Sequence, residues 1–80
     1  MADIIERVAQ ELGSQRARLG IPLEEAARRA RIDAAKLDAA ENAETALDET
    51  ELQRLADVYG IDVMAFFGGR ITPTEYLVGA

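Results

Sequence analysis

Apolar positions recur along most of the chain at three- and four-residue spacing, which marks helices rather than strands. Ile5, Val8 and Leu12 fall on one face of a first helix that Asp3 can cap and that runs to about Leu19. Gly13 and Ser14 weaken its middle, at about 1 kcal/mol for an interior glycine. Gly20 suits a left-handed cap, and Ile21 can fold back onto the core. Pro22 suits the start of a second helix, Leu23–Ala30, because it lacks a donor that would be unpaired there anyway. Glu24 and Glu25 lie in its first turn, on the favourable side of the helix dipole. Ala26, Ala27 and Ala30 are small enough for close helix contact, and Ile32 plugs the core. Asp33 is a good N-cap for a third helix, Ala34–Asn42, with Leu37 and Ala40 inward.

After a short polar connection, Asp48 and Glu51 have the spacing of a capping box. Leu52, Leu55, Ala56 and Tyr59 continue at helical spacing to Gly60. Asp62 then caps a last helix carrying Val63, Met64, Phe66 and Phe67, with the two phenylalanines read as core or dimer contacts, and Gly68-Gly69 breaks it. The pattern predicts an all-α domain over residues 1–69. Residues 70–80 are rich in β-favouring side chains and read as an extended arm, an intersubunit strand or a linker, with Pro73 against a central strand.

Charge changes this picture by dividing the chain. The formal charge of −6 argues against bulk affinity for nucleic acid. Residues 1–36, however, set seven cations against six carboxylates, while residues 37–80 set two against nine. One part can therefore face a polyanion while the other stays acidic.

Composition narrows the chemistry. Eighty residues make one domain with a modest core. There is no cysteine and no histidine, so the commonest metal ligand, the usual general base and any thiolate site are missing. Ser14 and the threonines therefore have no histidine to activate them, and no phosphate-binding glycine loop or metal spacing appears. No enzyme, metal or cofactor is expected. Neither a membrane-spanning run nor a signal-peptide pattern is present, so a cytoplasmic protein is expected.

Two short helices meeting at a sharp turn over Glu24–Asn42 are the core of a helix-turn-helix. From about Val8 to Gly68 the chain resembles the XRE family, the lambda-repressor-like five-helix fold. The resemblance rests on Gly20-Ile21, Leu23-Glu24-Glu25-Ala26-Ala27, Ile32, Leu37, Glu41-Asn42, Leu52 to Gly60-Ile61, and Asp62–Phe67. It implies sequence-specific binding of double-stranded operator DNA, usually as a homodimer, by repressors, phage regulators or antitoxins.

The departures from the family pattern fall on the expected DNA face. Arg31 stands where the family often has glycine, so left-handed strain of about 1–2 kcal/mol is expected there. Leu23 stands in place of a frequent glutamine, and Ala43-Glu44 in place of glycine followed by a cation. The third helix begins Asp33-Ala34-Ala35-Lys36, not with Ser, Arg, Gln or Thr. Direct readout needs bidentate side chains. Here Lys36 can reach a guanine edge or phosphate, Ala34, Ala35 and Ala39 can meet thymine methyls, and Asp38 can accept from a cytosine amino group.

Phosphate contacts are expected from Arg16, Arg18, Arg28, Arg29, Arg31 and Lys36. Four such contacts give a log–log salt slope of about −3.6. Without DNA, Arg28 and Arg29 are expected to pair with Glu24 and Glu25 at four-residue spacing. The alternative reading is a helix-turn-helix retained for protein interaction or dimerisation, with weak or no DNA binding.

Overall fold

A computed structural model describes residues 4–68 and Tyr76. Its elements are α1 (Ile4–Leu19), α2 (Leu23–Ala30), α3 (Ala34–Glu41), α4 (Glu49–Tyr59) and a 3-10 segment, Val63–Phe67. Strands are absent among the described residues. The expected cap Asp3 and most of the 70–80 tail lie outside the described residues.

Local chemistry accounts for the helix limits. Gly20 takes φ +68, a conformation that suits glycine, and lets Ile21 N–H reach the Arg16 carbonyl at 3.3 Å. Asp33 caps α3 by accepting from Ala35 N–H at 3.2 Å. At α4 the full capping box forms. Asp48 Oδ1 accepts from Glu51 N–H at 2.8 Å, and Glu51 Oε1 accepts from Asp48 N–H at 2.9 Å. Asn42 is the C-cap of α3 and not its last helical residue. The expected fifth helix is instead a 3-10 turn, so α1 to α4 are the α-helices of residues 4–68. Between the Asp62 cap and left-handed Gly68 the bonding is i to i+3, with Ala65 N–H reaching the Asp62 carbonyl at 2.9 Å.

α2 packs against both α3 and α4, and α1 packs against α3 and the 3-10 segment. Val8 and Leu12 of α1, the three alanines of α2, Leu37, Leu52, Leu55 and Phe66 form one buried cluster. Alanine at Ala26, Ala27 and Ala30 lets α2 approach its neighbours, since each is essentially without exposure. Tyr76, in the sequence read as arm or linker, belongs to this core. Its ring meets Phe67 edge-on at 5.8 Å, and its hydroxyl accepts from Leu47 N–H at 2.9 Å. Tyr59 meets Phe66 edge-on at 6.2 Å, but its buried hydroxyl has no hydrogen-bond partner among the described residues. Burial pushes the Tyr59 phenol up to about 12.

Candidate nucleic-acid interface

Packing against α1 and α2, with a tight turn before it, holds α3 in place. α2 ends with Arg31 at φ 59, ψ 43, the left-handed conformation expected there. Its N–H reaches the Arg28 carbonyl at 3.2 Å, and Ile32 N–H reaches the Ala27 carbonyl at 2.9 Å. Ile32 then enters the core, and Asp33 starts α3. At the other end of α3, Ala43 is also left-handed, at φ 62. Both bends that set α3 therefore use a residue with a Cβ where glycine would be unstrained.

Leu37 and Ala40 turn into the core, which fixes the rest of α3. Ala35, Asp38 and Asn42, spaced three and four apart, lie exposed on the opposite face. Ala34 and Ala39 are half-buried at its margins. Asn42 was not among the expected contact residues, although its spacing from Ala35 and Asp38 was readable in the sequence. Its amide donates to the Asp38 carbonyl at 2.9 Å and to Asp38 Oδ1 at 3.3 Å.

The expected phosphate-binding cations separate into different roles. Arg16 is tied inward. Its Nε and Nη2 donate to the two Glu41 oxygens at 2.8 and 2.9 Å, and Nη1 donates to the Ile21 carbonyl at 2.9 Å. This bidentate bridge bolts the end of α1 to the end of α3, and the Glu41 hydrogen bond raises the guanidinium pKa further. Lys36 leans from the α3 flank to α4, with Nζ 2.9 Å from both Glu51 oxygens. That bond holds its ammonium pKa above the ordinary value.

Arg18 is exposed and bonded to Gln15 Oε1 at 2.9 and 3.1 Å. Arg28 is exposed and bonded to Glu25 at 2.7 and 2.8 Å. The α2 pairing thus runs at three residues instead of the expected four. Both Glu25 oxygens take Arg28, which draws the Glu25 carboxyl below its usual range. Arg29 and Arg31 are exposed, and their side chains make no hydrogen bond or ion pair among the described residues.

A helix held between a tight turn and a polar loop, with one face outward, defines a helix-turn-helix module. Residues 7–64 match the family model described as a helix-turn-helix domain, and the chain belongs to that family. The fold is also that of a crystal structure of an HTH_3 family transcriptional regulator from Vibrio cholerae, with a TM-score of 0.76 and 22% identity over 84% of this chain. This chain spans 38% of that structure's length. No curated protein matches the chain.

Proposed function

We propose that the domain is the DNA-binding part of a transcriptional regulator and presents the outward face of α3 to the major groove. The observation that carries this is the free surface of Ala35, Asp38 and Asn42 on a helix whose other side is locked into the core. Membership of the helix-turn-helix family and the fold shared with a transcriptional regulator support it. Asn42 is the side chain suited to bidentate contact with adenine, once its amide leaves Asp38. Ala34 and Ala35 offer methyl contact, and Asp38 accepts from a cytosine amino group.

Arg18, Arg28 and Lys36 supply phosphate contacts by exchanging Gln15, Glu25 and Glu51 for the DNA backbone. Arg16 acts by holding α3 in position. Three phosphate contacts give a log–log salt slope of about −2.7, shallower than four would give. With so few contacts, two copies acting together on paired half-sites provide the working affinity.

Fluorescence polarisation against pooled genomic fragments across a salt series tests this reading. Binding that weakens with that slope, and weakens further in Arg28→Ala and Lys36→Ala, is expected. No binding at about 50 mM salt, where phosphate contacts are little screened, refutes it.

One observation favours a second reading, retention of the module for protein contact. Asp38, Glu44, Asp48 and Glu49 are exposed along α3 and the approach to α4, where their charge opposes a polyanion. Such a module would bind a protein with no duplex affinity at low salt.

A further inference from the structure

We propose that the crevice between α2 and α4 is a docking surface for an acidic segment of a partner protein. Arg29 from α2, Arg31 from the turn and Arg54 from α4 line one open surface depression of about 520 Å³, together with Asp57 and Val58. None of the three arginine side chains makes a hydrogen bond or ion pair among the described residues. The other cations of the helix-turn-helix behave differently: Arg16, Arg28 and Lys36 each hold a carboxylate of the same chain. Three guanidiniums from three elements thus meet on a chain of net charge −6, with Asp57 as the carboxylate of the lining. Their mutual repulsion is relieved by oxyanions, and the planar fork of arginine suits a carboxylate.

The lining selects the kind of anion. Asp57 lies within the depression, with its Oδ1 accepting from Gln53 Nε2 at 3.1 Å. A duplex carries negative charge at every step and meets repulsion at Asp57. A protein segment can set Glu or Asp against the arginines and a neutral donor against Asp57. Half-buried Val58 adds an apolar contact for one hydrophobic side chain of that segment. The outward face of α3 is elsewhere, since α3 approaches α4 through its Lys36 flank. The depression shares no lining residue with the proposed base-reading face of Ala35, Asp38 and Asn42.

An amide-resolved NMR titration tests this, using a synthetic Glu-Gly repeat peptide with one central leucine. The controls are the Gln-Gly counterpart and a short DNA duplex. The acidic peptide is expected to shift Arg29, Arg31, Arg54, Asp57 and Val58, and the glutamine peptide to leave them unmoved. Arg29→Gln/Arg54→Gln should weaken the peptide about tenfold, while Arg7→Gln on α1 leaves it unchanged. Each variant's own amide spectrum reports whether it is folded. Shifts that fall elsewhere, equal binding of both peptides, or displacement of the acidic peptide from these residues by the duplex would overturn the proposal. Because α3 is read by a different set of amides, failure here is distinguishable from failure of DNA binding.

Discussion

Replacing Arg16 by methionine keeps most of the side-chain volume and removes three hydrogen bonds, two to Glu41 and one to the Ile21 carbonyl. The Glu41 side chain is only 10% exposed, so its carboxylate is left with little water and no counter-charge. Breaking one partner of a buried pair costs about 3–5 kcal/mol, and an exposed pair is worth at most about 1. The Arg16 side chain is 23% exposed, which places the loss between these limits, at about 2–3 kcal/mol. For a domain of this size that is a drop in Tm of about 10–20 °C. Urea and thermal unfolding followed by circular dichroism measure it. Glu41→Met beside Arg16→Met completes a double-mutant cycle, in which the pair should couple by about 1–2 kcal/mol. Stability of Arg16→Met within about 0.5 kcal/mol of the parent, combined with weakened duplex binding, would refute the bolt and return Arg16 to the phosphates.

Other outcomes follow from the same geometry. Arg31→Gly and Ala43→Gly remove left-handed strain and should each stabilise by about 0.5–1 kcal/mol after the entropy of glycine is counted, as read from urea midpoints. Gly13→Ala should stabilise α1 by about 1 kcal/mol, because the new methyl meets Glu41 Oε1 at an ordinary 3.8 Å. Tyr76→Phe leaves Leu47 N–H without its acceptor and should cost about 1–2 kcal/mol by the same assay. The Tyr59 phenol is raised from 10.0 to about 12, so its contribution is complete below pH 10 and is lost as pH rises through about 12. Stability should fall over that window by about 1.4 kcal/mol per pH unit for this group, and Tyr59→Phe should flatten the fall.

What the sequence made legible was what neighbouring residues decide. The Asp48–Glu51 box, the Gly60 stop, the inward Leu37 and the turn at Arg31 are each set within a few positions. The 3-10 character of the last helix is not legible in the sequence, because the cap at Asp62 and the stop at Gly68 read the same way for a 3-10 or an α-helix. The larger omissions are non-local. Arg16 and Glu41 are 25 residues apart, and Tyr76 and Leu47 are 29 apart. Nothing in the helical spacing of either segment names the other. Tyr76 sits among β-branched residues whose composition pointed to an arm, whereas an aromatic ring and a hydroxyl seated in the core decide its role. Lys36, read as a phosphate contact, was also drawn across 15 residues to Glu51, which the capping box had already oriented.

Selection of duplexes from a randomised pool by the purified domain, compared with selection by Asn42→Ala, tests most directly whether the outward face of α3 reads bases. An enriched motif is expected from the parent, with loss of preference at one adenine position in Asn42→Ala and the remaining positions retained. A pool from which the folded parent enriches no motif would contradict base reading by α3.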